Sequence, residues 1–171
     1  MESEKLSPGK FAKNYGIILG VILVFIAVIM YATGMQLEGK QWPMYVFYII
    51  FPVVVIYAIS QFKKQQGNLL TVGEAIKVGL AVAVISALVF AVYSLLFNYV
   101  IDTEFTQQVM EAEIERQLES GALTEEMVEA SAPMREIFSN PFVGSTLFIA
   151  LSAIFGLIYS LIGGLIMKRE E

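Results

Sequence analysis

The chain has 171 residues, of which 57% are hydrophobic and 16% charged, with a net charge of −5. It contains neither Cys nor His, which excludes disulfides, thiolate metal sites, a Ser-His-Asp triad and a His-rich metal transporter. Uncharged runs cover residues 14–37, 41–62, 78–101 and 137–167. Each is longer than the ~20 residues that a helix needs to cross a bilayer. We therefore predict an all-α polytopic membrane protein with four transmembrane helices and a single membrane domain, 1–171.

The first two predicted spans cover about residues 15–37 and 42–62. Lysines precede the first span, as they do in a signal peptide, but the apolar part of a signal peptide has only ~7–15 residues. A retained span is therefore our expectation, and a cleaved signal is the alternative.

The third predicted span, about residues 72–101, begins with the pattern of a capping box. Thr71 is expected to accept a hydrogen bond from the Glu74 amide, while the Glu74 side chain returns to the Thr71 amide. Lys77 follows one turn later, where it can pair with Glu74 at the inner face. A proton or coupling site at Glu74 is the alternative interpretation.

The far end of the third span carries a candidate polar site at the outer interface. Asn98, Tyr99 and Asp102 lie within five positions of each other, so their polar atoms can come close together. The alternative is an ordinary interfacial belt, in which polar and aromatic side chains mark the headgroup level.

An acidic insert, about residues 102–139, separates the third span from the fourth. Residues 102–136 include ten acidic and two basic side chains, a net charge of −8. Helical spacing of apolar residues after Phe105 and a Thr124 cap predict two short amphipathic helices, the second with a break or restart near Ser131 caused by Pro133. We expect them to form a hairpin outside the membrane, with an acidic face that is solvated or, alternatively, binds cations or a partner.

The fourth predicted span covers about residues 141–167. Small residues recur at every fourth position in it and in the third span, which places them on one stripe of each helix. Such stripes favour close packing, so we expect these spans to pack against each other or against an identical copy. A pore lining is the alternative. The stripes contain Gly79, Ala83, Ala87, Ala91, Ser152, Gly156, Ser160 and Gly164.

Basic residues predict the orientation, because the side richer in Lys and Arg near the spans is cytoplasmic. The side that holds both termini has eight of them, and the side of the insert has three. Both termini are therefore expected in the cytoplasm and the insert outside. The eight are Lys5, Lys10, Lys13, Lys63, Lys64, Lys77, Lys168 and Arg169; the three are Lys40, Arg116 and Arg135.

Two segments resemble a known family. Residues 70–79 (LTVGEAIKVG) and 93–102 (YSLLFNYVID) are similar to the domain-of-unknown-function 4199 family of small bacterial membrane proteins. In that family Pro often follows the aspartate, where this chain has Thr103. The resemblance extends over nearly the whole chain and implies four spans, a helical acidic insert and the bacterial inner membrane. It implies no catalytic residues.

The sequence offers no catalytic, cofactor-binding or metal-ligating pattern, and no basic face for nucleic acid. We therefore expect a non-enzymatic accessory, scaffold or assembly protein, with the bilayer and a membrane protein or a second copy as partners. The first alternative is a small transporter or a protein that handles lipids or envelope precursors. Its polar route would involve Ser86, Tyr93, Ser94, Asn98, Ser152 and Ser160. An enzyme would need Asn98, Tyr99, Asp102 or insert carboxylates to converge in one cleft.

Overall fold

The computed structural model describes residues 7–169, in which seven α-helices follow one another. Lys5, one of the basic residues counted for the orientation, lies outside the described residues. The helices are α1 (Pro8–Ala32), α2 (Trp42–Gln65), α3 (Val72–Leu96), α4 (Phe105–Glu119), α5 (Glu125–Ala130), α6 (Ala132–Ser139) and α7 (Pro141–Met167). A π-helical turn, Phe97–Ile101, extends α3.

Four helices are long and apolar enough to cross a membrane: α1, α2, α3 with its π-helical turn, and α7. They contain 25, 24, 30 and 27 residues, and about 20 are enough for a span. The predicted all-α architecture with four candidate spans is therefore confirmed.

The first helix is offset from its predicted span of residues 15–37. It begins at Pro8, because proline is well suited to the first helical turn, where its missing N–H costs nothing. It ends at Ala32, and Gly34 follows with a φ of +69°, in the left-handed region that favours glycine. The uncharged run therefore continues into a turn that is no longer helical.

Helix α3 lies in the centre of the bundle and contacts α1, α2 and α7. Its contact with α7 is made by the two stripes of small residues, which the structure places against each other. Gly156 lies against the Ala83 side chain, Gly79 against Ser160, and Gly164 against Ala75, each so close that a Cβ atom on the glycine would overlap. Glycine thus permits the close approach of the two backbones.

Helix α1 packs on α3 in the same way. A Cβ on Gly16 would lie 2.7 Å from Cβ of Ile85, and one on Gly20 would lie 2.6 Å from Cβ of Val89. The buried core fills the space between these interfaces and α2. It includes Leu19, Phe51, Val55, Ile59, Phe62, Val78 and Val82.

The bundle has two ends, which we name by their loops. The insert end carries the α1–α2 loop (33–41) and residues 102–140. The terminal end carries the α2–α3 loop (66–71) and the ends of the described chain. At the terminal end Leu70 and Arg169 exchange two backbone hydrogen bonds of 2.9 and 3.0 Å, and Lys63 Nζ donates to the Met167 carbonyl at 2.7 Å. These bonds attach the end of α7 to α2 and to the α2–α3 loop.

The insert contains three helices where the sequence predicted two, and the predicted hairpin is not confirmed. Pro133 lies in the first turn of α6, so the helix restarts at Ala132 after α5 has ended at Ala130. Thr124 caps α5 by accepting from the Met127 amide at 3.3 Å. Helix α6 contacts α4, α5 and the start of α7.

Candidate binding site at the insert end

The π-helical turn at the insert end contains one buried, one partly buried and several exposed side chains. The Asp102 amide donates to the Phe97 carbonyl, five residues back, at 2.9 Å. The wider turn leaves Tyr99 more than half exposed, while Phe97 is buried and Asn98 partly buried. π-Helical turns occur frequently at functional sites in helices.

A cavity of about 220 Å³ lies beside this turn, between α1, α3 and α4. It is lined by both aromatic and polar side chains, with Ala27 and Val109 completing the wall. The polar and aromatic lining residues are Tyr31, Gln36, Phe90, Tyr93, Ser94, Phe97, Asn98, Phe105 and Thr106. We refer to it as the insert-end cavity.

The aromatic rings of the cavity pack edge to face. The Tyr31 ring lies 4.8 Å from that of Phe97 and 4.9 Å from that of Phe105, measured between centroids, at interplanar angles of 79° and 84°. The rings of Phe97 and Phe105 lie 5.6 Å apart at 81°. Such geometry is favourable for aromatic pairs and orders all three rings. The Tyr31 hydroxyl donates to Asp102 Oδ2 at 3.1 Å, which joins α1 to the end of the π-helical turn.

Polar groups in the cavity divide into bonded and free ones. Asn98 is fully engaged: its Nδ2 donates to the Ser94 carbonyl at 2.8 Å, and its Oδ1 accepts from the Thr106 hydroxyl. Within residues 7–169, neither the Tyr93 hydroxyl nor the Gln36 side-chain amide has a hydrogen-bond partner. These two groups are therefore available to a ligand.

The structure separates the three residues of the predicted polar site. Asn98 lines the cavity, and Asp102 reaches it through its bond to Tyr31. Tyr99 is outside the lining. Tyr93, Ser94 and Asn98 of the predicted polar route line the cavity, whereas sequence analysis missed Tyr31 and Gln36. The one available signal for Tyr31 was its position towards the end of the first predicted span.

Arg116 attaches α4 to the α1–α2 loop beside the cavity. Its guanidinium donates to the Leu37 carbonyl and to Glu113 Oε2, the latter at 2.6 Å. The hydrogen bond from Arg116, together with one from Gln117, lowers the pKa of the Glu113 carboxyl. The α4 helix is thereby held over the insert end.

An apolar groove of about 210 Å³ adjoins the cavity between α1, α2 and α7. It shares Ala27, Gln36 and Phe90 with the cavity lining. Its remaining wall is almost entirely hydrocarbon or aromatic, comprising Leu23, Ile26, Met30, Pro43, Met44, Phe47 and Phe148. We refer to it as the apolar groove.

At the terminal end, Thr71 and Glu74 form the capping box of α3. The Glu74 amide donates to Thr71 Oγ1 at 3.2 Å, and the Thr71 amide donates to Glu74 Oε2 at 2.9 Å. Gln66 Nε2 also donates to Glu74 Oε1 at 3.2 Å. Glu74 thus has a local role at the helix start, and its pairing with Lys77 stays a prediction.

The fold and site define a class: a helical protein with four candidate membrane spans and a helical insert before the last. The family model described as "Protein of unknown function (DUF4199)" matches residues 14–169. The chain therefore belongs to this family, and the resemblance in the sequence is confirmed. No curated protein and no solved structure matches the chain.

Proposed function

We propose that the protein is a non-enzymatic accessory or assembly protein of the bacterial inner membrane, and that its insert docks on another membrane protein or on a second copy of itself. Both termini would lie in the cytoplasm and the insert outside. The family is uncharacterised, so the proposal rests on the chain itself.

The observation that carries the proposal is an apolar face on α6. Met134, Ile137 and Phe138 lie on one side of this helix, at helical spacing, and each is about half exposed (56%, 54% and 47%). Large apolar side chains exposed together outside a span commonly mark an interaction surface.

The position of this face favours a partner that is itself in the membrane. Phe142, in the first turn of α7 and three residues after the end of α6, is also 63% exposed. A partner that covers both the α6 face and Phe142 must extend from the membrane into the space beside the insert. Acidic residues elsewhere on the insert keep its other faces in water and away from anionic lipids.

Site-specific photocross-linking in cells tests this role. A benzophenone amino acid at Phe138 should give a discrete cross-link to a membrane protein or to a second copy. The same probe at Glu129, an exposed acidic residue of α5, should give none. If the Phe138 probe cross-links only to lipid, as expected for a helix that lies on the bilayer surface, the assembly role is wrong.

A second candidate function is the handling of lipids or envelope precursors, and the insert-end cavity favours it. Passage across the membrane receives less support, because Ser86 and Ser160 of the predicted polar route are buried in the bundle. Ser86 Oγ donates to the Ala83 carbonyl at 2.9 Å and Ser160 Oγ to the Leu157 carbonyl at 3.0 Å, so both hydroxyls are bonded to their own helices. Binding at the insert end is the part of this alternative that the geometry supports.

A further inference from the structure

We propose that the insert-end cavity binds an organic ammonium group, and that this group belongs to an amphiphile whose hydrocarbon chain lies in the apolar groove. The proposal rests on the second candidate function and gives its ligand a chemical class. It is independent of the assembly role, because that role depends on a different feature of the insert, the exposed apolar face of α6.

The aromatic content of the cavity is the first reason. Five of its eleven lining residues carry aromatic rings: Tyr31, Phe90, Tyr93, Phe97 and Phe105. The face of an aromatic ring attracts a cation, and clustered rings are the means by which proteins recognise quaternary ammonium groups. Edge-to-face contacts among Tyr31, Phe97 and Phe105 hold these three rings in place before a ligand arrives.

The charge around the cavity is the second reason. Asp102 accepts a hydrogen bond from the Tyr31 hydroxyl, so a carboxylate lies at the edge of one of the cavity rings. No Lys or Arg is among the described lining residues, and Arg116, farther along α4, is paired with Glu113. Residues 102–136 carry a net charge of −8, which concentrates cations near the mouth.

Free polar atoms in the cavity suit the same ligand. The Tyr93 hydroxyl oxygen and the Gln36 side-chain carbonyl lack partners among residues 7–169, and the partial negative charge on both oxygens attracts an ammonium group. An anionic ligand would find five rings and a nearby carboxylate, with no basic side chain in the lining to pair with it.

The apolar groove specifies the rest of the ligand. It meets the cavity at Ala27, Gln36 and Phe90, and its other walls are apolar side chains of the candidate spans. A hydrocarbon chain can therefore continue from an ammonium group in the cavity into a groove at membrane depth. The ammonium group has two possible sources, the headgroup of an aminolipid or a soluble amphiphilic amine.

Titration calorimetry on the full chain tests the site. The protein is placed in nanodiscs of digalactosyldiacylglycerol, a neutral lipid without an amine, and titrated with decyltrimethylammonium against empty discs. We expect saturable binding, with weaker binding of tetramethylammonium, which has no chain. Equal heats from 1-decanol would overturn recognition of the ammonium group, and equal affinity for tetramethylammonium would overturn the role of the groove.

Two variants connect binding to the cavity. Asp102→Asn removes the carboxylate and should weaken decyltrimethylammonium binding by about fivefold or more, whereas Glu129→Gln removes an equal charge from α5 and should not. Ala27→Phe fills the junction of cavity and groove and should abolish saturable binding. Unchanged affinity in a folded Asp102→Asn or Ala27→Phe protein, verified by its thermal midpoint, would overturn the site.

A competition arm distinguishes the two sources. A fraction of the digalactosyldiacylglycerol molecules in the discs is replaced by phosphatidylethanolamine, and the decyltrimethylammonium titration is repeated. A lower apparent affinity, with phosphatidylethanolamine retained in native mass spectra, supports an aminolipid. Unchanged affinity supports a soluble amine. Failure of all these probes to bind would overturn the ammonium site and leave the photocross-linking of α6 unaffected.

Discussion

A Cβ atom on Gly39 would lie 2.6 Å from Cζ of Arg116, so the guanidinium occupies the space that any larger residue at position 39 would need. Gly39 also has a φ of +65°, in the left-handed region that favours glycine. The same guanidinium donates to the Leu37 carbonyl. The α1–α2 loop therefore packs closely against Arg116, and this contact joins the loop to α4 at the insert end.

Gly39→Ala should loosen the insert end. Alanine in the left-handed region costs about 1–2 kcal/mol, and displacement of Arg116 adds to that cost. We expect faster amide hydrogen exchange throughout α4, with little change in the spans. Gly34→Ala is the matched control: Gly34 lies in the same loop with a φ of +69°, but nothing lies within 4 Å of an added Cβ. Equal exchange of α4 in both variants would mean that the Arg116 contact does not hold the helix.

The Glu113–Arg116 pair predicts a pH dependence of the same contact. The pKa of Glu113 is lowered in the folded protein, first by the hydrogen bond from Arg116. The pair therefore stabilises α4 above the ordinary glutamate pKa of about 4.3, and its contribution is lost as the pH falls through the lowered value. Protection of α4 from exchange should decline over that interval in the parent protein. Glu113→Gln, which removes the titrating group, should flatten this decline.

Gly156→Ala should destabilise the bundle. Its new Cβ would overlap the Ala83 side chain, and overpacking of this kind costs about 1–3 kcal/mol. Gly144→Ala is the control within α7, since no atom lies within 4 Å of its added Cβ and alanine favours a helix. Thermal unfolding in detergent should show a lower midpoint for the first variant and an equal or higher one for the second. Ala83→Gly should restore stability to Gly156→Ala, because it removes the overlapping side chain.

Lys63→Met should loosen the terminal end of α7. It removes the 2.7 Å bond that Lys63 Nζ donates to the Met167 carbonyl, while the methionine keeps most of the apolar stem. A cation at a helix C-terminus contributes about 0.3–2 kcal/mol, so the midpoint of unfolding should fall by a few degrees. Lys64→Met removes the neighbouring exposed lysine and should have a smaller effect. Equal loss in both variants would indicate a general charge effect at this end.

The local features of the fold could be predicted from sequence, because they depend on residues close together in the chain. The capping box of Thr71 and Glu74 lies within four positions, and the spans follow from length and apolar composition alone. The stripes of α3 and α7 were also visible, since a spacing of four fixes a helix face. Their mutual packing needed the structure, because the sequence left an identical copy as an equal partner.

The candidate site was harder to predict because it is assembled from distant residues. Tyr31 and Asp102 are 71 positions apart, and Arg116 lies 79 positions from Leu37. No periodicity connects such pairs. The π-helical turn had a further effect, because its hydrogen bond spans five residues where a regular helix spans four, so the spacing of Asn98 and Asp102 no longer fixes a shared face. The insert has a third helix because the restart expected near Ser131 forms a separate helix, α6, with Pro133 in its first turn.

The orientation of the bundle can be tested at two matched glycines. Gly67 lies in the α2–α3 loop and Gly121 in the insert, and both are exposed turn residues with φ near +70° (67° and 72°). Alkaline phosphatase inserted after Gly121 should be active and after Gly67 inactive, because the basic residues beside the spans favour a cytoplasmic terminal end. A fluorescent protein that folds only in the cytoplasm should give the opposite result. If the two sites exchange these outcomes, the acidic insert faces the cytoplasm, and partners or ammonium ligands would have to reach it from there.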